Sequence, residues 1–220
     1  MQLSIFNGSP RFKNSNSKIL IDHFLTGMGA SYPESIEVQY LAEIKKTPQH
    51  VEAFEKADTI IMVMPLYTDS MPGIVKHFIE RIAVKKYGFE KRIGFIVQSG
   101  FPESNHSLNL ERYLKKMANR MECNYIGTVI KGGVEGIQIM PPFMTVKLYA
   151  YFQELGKEFV MTGKFNELIV RKLRKPIQLS WLSRCFFQIG SITGLANFYW
   201  NSNLKKNGAY ARRFAKPYGN

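Results

Sequence analysis

The sequence is poor in cysteine and has no long apolar segment near its start. Its two cysteines, Cys123 and Cys185, lie far apart and form no CxxC pair. They cannot make a disulfide framework, and they cannot supply the four thiolates of a structural zinc site or an iron–sulfur cluster. The first residues lack the basic start and the longer apolar stretch of a secretory signal peptide. The sequence therefore predicts a protein of the reducing cytoplasm.

Acidic residues are scarce in the last quarter of the chain. Lys and Arg number 30 against 17 Asp and Glu, which gives a net charge of +13. Residues 164–220 hold eleven of the basic residues and one acid, Glu167, whereas residues 1–163 are nearly balanced. Because 45% of the chain is hydrophobic, it can bury a core. We predict a globular domain, residues 1–163, followed by a basic C-terminal extension, residues 164–220.

Strands and helices are predicted to alternate along the first domain. Five short apolar runs indicate strands, at Leu3–Asn7, Ile36–Leu41, Thr59–Met64, Arg92–Gln98 and Tyr125–Ile130. Helical periodicity follows each of them, at Ser15–Gly27, Pro48–Lys56 after a Thr47 cap, Gly73–Lys86, Leu108–Glu122 and Thr145–Met161. Near-continuous apolar strands bury both faces, so the pattern predicts an α/β fold with a doubly wound, five-stranded parallel sheet. Ligands of such sheets bind beyond the carboxyl ends of the strands.

The loop after the first predicted strand is rich in hydrogen-bond donors. It matches neither GxGxxG nor the Walker pattern. It instead places short polar side chains and one arginine beside the amino end of a helix, where anions bind. The candidate residues are Ser9, Arg11, Ser15, Asn16 and Ser17. Helix capping accounts for Ser15 but not for the others, so we predict that this loop binds a terminal monophosphate.

The loops after the third and fourth predicted strands bring apolar and aromatic residues to the same edge. After the third strand, a flat ring could lie against four side chains. These are Pro65, Leu66, Tyr67 and Met71. Asp69 or Ser70 can cap the helix that follows. After the fourth strand, Gly100 would let the backbone approach a ligand and Phe101 could wall a ring, although this loop can equally serve to cap the next helix.

Two motifs together resemble the NAD(P)H-dependent FMN reductase family of flavodoxin-like proteins. The first is Gly8-Ser9-Pro10-Arg11 with Ser15-Asn16-Ser17. The second is Pro65-Leu66-Tyr67-x-Asp69-Ser70-Met71-Pro72-Gly73, before a helix with Lys76, Phe78, Glu80 and Arg81. The resemblance covers about residues 1–163 and implies a sheet of order 2-1-3-4-5 with FMN at its edge. It also implies a homodimer that passes hydride from NADH or NADPH through flavin to a small acceptor, such as a quinone, an azo or nitro compound, or flavin, in a ping-pong sequence.

The resemblance also assigns the cofactor contacts. The phosphate would be bound by Ser9, Arg11, Ser15, Asn16 and Ser17. The isoalloxazine would contact Pro65, Leu66, Tyr67, Asp69, Ser70, Met71 and Gly73, with Ser99, Gly100 and Phe101 on its far side. No metal site and no catalytic acid or base is predicted. Since no cysteine precedes Cys123, the relatives that carry an iron–sulfur cluster beside the flavin are excluded.

The extension leaves several interpretations open. Residues 177–200 are aromatic and apolar with a single charge, and residues 203–220 interleave five basic residues with aromatic ones. The extension could pack on its own domain or on a second subunit, cover the flavin, or lie on an anionic membrane. Nucleic-acid binding is not expected, because no recognised binding module accompanies the pattern. Two other functions stay open: an electron-carrier flavodoxin-like protein, although carriers usually present an acidic face, and a non-catalytic module that docks a membrane or a partner.

Overall fold

The computed structural model describes residues 2–29, 36–176, 181–194 and 197–216. The chain divides into two compact units, residues 1–177 and residues 178–220, which we call the body and the tail unit. The domain boundary predicted between residues 163 and 164 stays a prediction.

The body is built from alternating strands and helices. The strands are β1 (Leu3–Asn7), β2 (Val38–Tyr40), β3 (Thr59–Pro65), β4 (Arg92–Gln98) and β5 (Asn124–Lys131). The helices are α1 (Asn16–Met28), α2 (Thr47–Lys56), α3 (Gly73–Ile82), α4 (Leu108–Arg120), α5 (Pro142–Thr162) and α6 (Glu167–Arg174). Short 3-10 turns at Ile44–Lys46 and Ser104–Ser107 precede α2 and α4.

The strands form one parallel sheet in the order β2-β1-β3-β4-β5. This confirms the predicted fold class and strand order. In the register, Asn7 lies opposite Val63, Pro65 opposite Gln98, and Gln98 opposite Lys131. The strands β1, β3, β4 and β5 therefore all end near one edge, and the loops that follow them meet there.

Each face of the sheet carries a separate hydrophobic core, because successive strand side chains point to opposite faces. Ile60, Met62 and Met64 of β3 join the core that is covered by α2, α3 and α4. Ile61 and Val63 join the core covered by α1, α5 and α6. Burial on both faces explains why the strands are almost continuously apolar in sequence.

The helices α1 and α5 approach one another at two glycines. A Cβ atom on Gly27 would overlap the backbone oxygen of Gln153, and one on Gly156 would overlap the backbone oxygen of Phe24. Beside this crossing, the rings of Phe24 and Phe159 pack edge to face with centroids 5.6 Å apart. The absence of side chains at the two glycines thus lets the backbones of the two helices come into contact.

Helix α6 packs against the sheet although it lies beyond the domain boundary predicted at residue 163. Its N-cap is Asn166, whose side chain accepts hydrogen bonds from the backbone N–H groups of Leu168 and Ile169. Phe165, just before the helix, is 6% exposed and lies against the α-carbon of Gly94, where a Cβ would come within 2.8 Å of its ring. Ile169 and Leu173 are buried in the same core.

Several predicted boundaries and caps are wrong in detail. Strand β2 is three residues long, and α3 ends at Ile82 rather than at Lys86. Thr47 is the first residue of α2 instead of its cap, because a 3-10 turn precedes it and its hydroxyl donates to the carbonyl of Ile44. Neither Asp69 nor Ser70 caps α3, whose N-cap position is Pro72.

The tail unit is helical. It contains α7 (Trp181–Ile192), α8 (Phe198–Lys206) and a 3-10 turn at Tyr210–Arg212. Across residues 2–29, 36–176, 181–194 and 197–216, the structure holds no helix with the length and apolar character needed to cross a membrane.

Candidate functional site

A cavity of about 170 Å³ opens at the carboxyl edge of the sheet, between the loops that follow β1, β3, β4 and β5. It is lined by Ser9, Arg11, Asn16, Pro65, Leu66, Tyr67, Gln98, Ser99, Gly100 and Glu135. This is the edge at which ligands bind in doubly wound sheets.

The loop after β1 is held in shape by Asn7, the last residue of the strand. Its buried side chain accepts a hydrogen bond from the N–H of Ser9 at 2.9 Å and donates to the hydroxyl of Ser15 at 3.3 Å, so it ties both ends of the loop together. Ser15 is the N-cap of α1: its hydroxyl donates to the carbonyl of Phe12 and accepts from the N–H of Lys18. The hydroxyl proton of Ser15 is therefore already used inside the loop.

Unused hydrogen-bond donors converge on the amino end of α1. Within the described ranges, the backbone N–H groups of Ser15, Asn16 and Ser17 have no acceptor. The hydroxyls of Ser9 and Ser17 each accept one hydrogen bond, from the N–H of Arg11 and the side-chain amide of Gln98, and keep their protons free to donate. Free N–H groups at a helix amino end carry partial positive charge, so they attract an anion.

The side chain of Asn16, a residue that lines the cavity, holds an acceptor without a partner among the described residues. Its side-chain amide donates to the carbonyl of Val134 at 2.8 Å, with a longer contact to the carbonyl of Glu135. Its Oδ1 atom is buried and has no hydrogen-bond partner in the described part of the chain. A buried acceptor without a partner costs free energy, and the group that satisfies it must be a donor.

Arg11 forms an ion pair across the cavity with Glu135. The guanidinium Nη2 and the carboxylate Oε1 are 3.2 Å apart, and both side chains are more than half exposed. Exposed pairs of this kind are weak, contributing about 0–1 kcal/mol. Arg11 can therefore exchange this carboxylate for another anion at small cost.

The loop after β5, which carries Glu135, is joined to the loop after β4. The N–H of Val134 donates to the carbonyl of Ser99 at 3.0 Å, and the N–H of Gly133 donates to the carbonyl of Phe101 at 2.8 Å. Any Cβ on Gly132 would come within 2.5 Å of the carbonyl of Phe101. Gly132 is thus what permits the two loops to lie side by side.

A tight hairpin turn follows β3. Tyr67 and Ser70 exchange two backbone hydrogen bonds, and the residues between them, Thr68 and Asp69, have φ angles of 49° and 57°. Two positive φ angles make a type I′ turn, a conformation that non-glycine residues rarely adopt. The turn leaves Tyr67 43% exposed at the cavity mouth.

A polar and aromatic bridge connects this hairpin to the loop after β4. The Nδ1 atom of His106 lies 3.2 Å from a carboxylate oxygen of Asp69. On its other side, the ring of His106 packs on Phe101, with centroids 4.7 Å apart and an interplanar angle of 30°. Phe101 itself is 53% exposed. The bridge fixes an exposed aromatic surface beside the cavity.

One cationic group stands at the carboxyl end of β5. Lys131 lies opposite Gln98 in the sheet, and burial lowers the pKa of its amine from the usual value. The lowered pKa follows from desolvation, which disfavours the charged form.

The structure brings together about half of the residues predicted for the site. The predicted residues that line the cavity are Ser9, Arg11, Asn16, Pro65, Leu66, Tyr67, Ser99 and Gly100. Those that do not line it are Ser15, Ser17, Asp69, Ser70, Met71, Gly73 and Phe101. Among the latter, Met71 packs against the core under α3, and Gly73 is exposed with nothing near it. The predicted cofactor contacts as a set stay predictions.

Gln98 and Glu135 line the cavity but are not among the residues predicted from the sequence. A polar residue ending an otherwise apolar strand, as Gln98 does, is a signal that sequence inspection can use. The signal for Glu135 is weaker: Gly132 and Gly133 mark a tight exit from the fifth strand, but nothing in the sequence pairs a fifth-strand loop with Arg11.

Comparisons with known proteins agree with this architecture. A sequence model described as the flavodoxin-like fold matches residues 1–144. Among solved structures, an FMN-dependent NADH-azoreductase from Bacillus anthracis, in complex with FMN, is 16% identical over 73% of this chain and 100% of that chain, with a TM-score of 0.57. The Trp repressor binding protein from Bacillus subtilis is 19% identical over 70% of this chain and 97% of that one, with a TM-score of 0.55.

A third similar structure is an NADPH-quinone reductase from P. pentosaceus, 18% identical over 70% of this chain and 96% of that one, with a TM-score of 0.52. No curated protein sequence matches the chain significantly. At these identities, the structural likeness concerns the fold.

Proposed function

Since this chain belongs to the family of proteins with the flavodoxin-like fold, we propose that it binds FMN at the carboxyl edge of its sheet and acts as an NAD(P)H-dependent oxidoreductase. The observation that carries the proposal is the set of unused donors at the amino end of α1 and in the loop before it, next to a cavity that Ser9, Arg11 and Asn16 line. The names of the similar structures, an FMN-dependent azoreductase and a quinone reductase, support the choice of cofactor and reaction.

The phosphate would be held by the loop after β1. The N–H groups of Ser15, Asn16 and Ser17 and the hydroxyls of Ser9 and Ser17 are donors without acceptors, as a phosphate requires. Arg11 adds a full charge once it releases Glu135. Each hydrogen bond to a charged oxygen contributes about 1.5–3 kcal/mol net, so this set favours a dianion over a neutral ligand.

The side chain of Asn16 would contact the ribityl chain, whereas its backbone N–H is one of the phosphate donors. Phosphate oxygens accept hydrogen bonds, and the free atom of Asn16 is also an acceptor. Ribityl hydroxyls donate, so they can satisfy this atom. The acceptor therefore orients the ligand, with the phosphate on the free backbone N–H groups of the helix start and the hydroxyls on the side-chain oxygen of Asn16.

The flavin ring would lie at the mouth of the cavity. Cavities that enclose a whole ligand of this size measure about 300–1,000 Å³, whereas this one measures about 170 Å³ and suits the phosphate and ribityl parts. The ring would then rest outside, against the exposed faces of Tyr67 and Phe101. The bridge from Asp69 through His106 holds Phe101 in place.

When bound, FMN would supply the redox chemistry, accepting hydride from NADH or NADPH and passing electrons to a small acceptor such as a quinone, an azo or nitro compound, or flavin, in a ping-pong sequence. The protein's part is to bind the phosphate, orient the ring and leave one face of it open. This needs no acid–base pair in the chain. We also propose a homodimer, from the resemblance of the sequence motifs to the reductase family, and a cytoplasmic location, from the scarcity of cysteine.

Flavin binding is tested by titrating the purified protein with FMN and with riboflavin, followed by absorbance. We expect Arg11→Ala to weaken FMN at least tenfold and riboflavin much less, because only FMN carries the phosphate. Lys13→Ala is the matched control: it removes the same charge two residues away, from a side chain that does not line the cavity. Equal loss for both ligands would show that Arg11 does not contact the phosphate.

Catalysis is tested separately from binding. The FMN-loaded protein should oxidise NADH or NADPH in the presence of a quinone or an azo dye, with parallel double-reciprocal plots. A protein that binds FMN tightly but oxidises neither nucleotide would instead be an electron carrier. If the protein binds no flavin at all, the remaining hypothesis is a non-catalytic docking module.

A further inference from the structure

The tail unit exposes large apolar side chains that a stable, isolated helical unit would bury. Among the tail-unit residues whose side chains the structure describes, six are more than half exposed: Trp181, Ile189, Ile192, Phe198, Trp200 and Phe214. In the body, side chains of these types fill the two cores. Exposed apolar groups concentrated in one short segment mark a contact surface.

The exposed apolar groups that the structure describes in α7 share one side of the helix. At about 100° per residue, Trp181, Ile189 and Ile192 fall within an arc of roughly 80°. Arg184 lies about 60° outside this arc, on the side of Trp181, and is exposed. A helix with an apolar stripe and a basic flank lies flat at a lipid–water interface.

Basic groups are held beside aromatic rings in the rest of the tail unit. The guanidinium of Arg213 lies 4.0 Å from the ring centroid of Tyr210 and 4.7 Å from that of Phe214. The ammonium of Lys205 lies 5.0 Å from the same Tyr210 ring. Each cation is thus presented next to an amphipathic ring, the arrangement that suits the level of lipid headgroups.

The charge of the chain identifies the partner. Residues 178–220 carry six Lys and Arg and no Asp or Glu, and the body, with 24 basic and 17 acidic residues, is also net positive. A second copy of either unit would therefore meet the tail unit with like charge. The complementary surface is anionic. Because Ile189 and Ile192 cannot stack on bases but can enter an acyl layer, lipid suits the exposed face of α7 better than nucleic acid does.

We propose that the tail unit docks the protein on the surface of a bilayer rich in anionic phospholipid, with the exposed face of α7 among the headgroups and the basic residues of α8 and the following turn on the lipid phosphates. Flavin binding plays no part in this contact. The proposal therefore stands or falls independently of the function proposed for the body.

The chain contains a built-in reporter of this contact. Its two tryptophans, Trp181 and Trp200, both lie in the tail unit and are 75% and 64% exposed. Their fluorescence should shift to shorter wavelength when the full chain is mixed with vesicles of equimolar phosphatidylcholine and phosphatidylglycerol. Vesicles of phosphatidylcholine alone should cause no shift, and high salt should reverse it.

Matched substitutions separate the tail unit from the general positive charge of the protein. Lys205→Gln with Lys206→Gln, an exposed pair in α8, should weaken partition onto anionic vesicles about tenfold or more, since each basic residue near the surface counts for several-fold. Lys115→Gln with Lys116→Gln, an exposed pair in α4, makes the same change of charge in the body and should alter partition less than about twofold.

An apolar pair of variants completes the test. Phe214→Ser, at a residue 82% exposed, should weaken vesicle binding, whereas Phe143→Ser, at one 78% exposed in the body, should not. Equal losses from the tail and body variants would overturn the proposal, and so would equal binding to both kinds of vesicle. Absence of a fluorescence shift with vesicles would also overturn the proposal. Binding to single-stranded RNA would then identify a nucleic acid as the partner. Self-association in sedimentation that Phe214→Ser abolishes would instead identify a second copy of the chain.

Discussion

The body and the tail unit use similar side chains in opposite ways. In the body, Phe24, Phe159 and their neighbours are almost completely buried between helices and a sheet. In the tail unit, Trp181, Ile192 and Phe214 are mostly exposed. Composition alone does not distinguish these uses. The difference teaches that apolar residues stabilise the first region internally, whereas those of the second are available for contact with another surface.

The largest expected difference concerns stability. Phe159→Ala should lower the free energy of unfolding by about 3–5 kcal/mol, because it empties a fully buried site in α5. Phe214→Ala should lower it by less than about 1 kcal/mol, since only an exposed ring beside Arg213 is lost. Urea unfolding of the full chain, followed by circular dichroism, measures both. Similar losses would mean that the tail unit is a second core.

A smaller effect is expected where α1 and α5 cross. Replacing a helical glycine by alanine usually stabilises a helix by about 1 kcal/mol. Gly156→Ala should instead destabilise the body by about 1–3 kcal/mol, because the new Cβ would overlap the backbone of Phe24. Gly73→Ala, where a Cβ meets nothing within 4 Å, is the control. A gain in stability from Gly156→Ala would show that the two helices are further apart.

A still smaller effect is expected at the cavity, from the exposed ion pair of Arg11 and Glu135. Glu135→Gln should strengthen FMN binding about 1.4- to fivefold, because it removes an exposed carboxylate that pairs with Arg11, an interaction of about 0.2–1 kcal/mol. Riboflavin, without a phosphate, should bind the variant and the unsubstituted protein alike. Calorimetric titration of both ligands measures this. Weaker FMN binding would indicate that Glu135 holds the loops together in the complex.

The two regions should also differ in their response to acid. Burial, opposed in part by Glu43, lowers the pKa of His50 below its usual 6.5. The unfolded chain therefore binds this proton at a higher pH than the folded one, so the stabilisation is complete above about pH 6.5 and declines as the pH falls through that value.

Unfolding measured above and below pH 6.5 should show the body losing stability in acid, and His50→Gln should reduce that loss. The tail unit contains no histidine, the side chain whose usual pKa lies in this pH range. Vesicle binding should accordingly be the same at both pH values. Acid-sensitive vesicle binding would connect the tail unit to a titrating group of the body.

The fold could be predicted from the sequence more completely than the site. Apolar strands such as Thr59–Pro65 carry their own signal, because burial on both faces excludes polar residues. The loop after β1 could also be predicted, because polar side chains next to the start of a helix can be recognised in the sequence as a place where anions bind. By contrast, the pairing of Arg11 with Glu135 joins loops 124 residues apart, and Asn16 becomes an acceptor only because distant carbonyls occupy its amide. Such roles depend on which loops meet.

The crossing of α1 and α5 has a consequence for folding during synthesis on the ribosome. Gly27 and Gly156 touch facing backbones, yet 129 residues separate them in the chain. At a translation rate of about 5–20 residues per second, α1 waits roughly 6–26 s on the ribosome before its partner is synthesised. During that interval the apolar side of α1 lacks its partner helix and is open to chaperones.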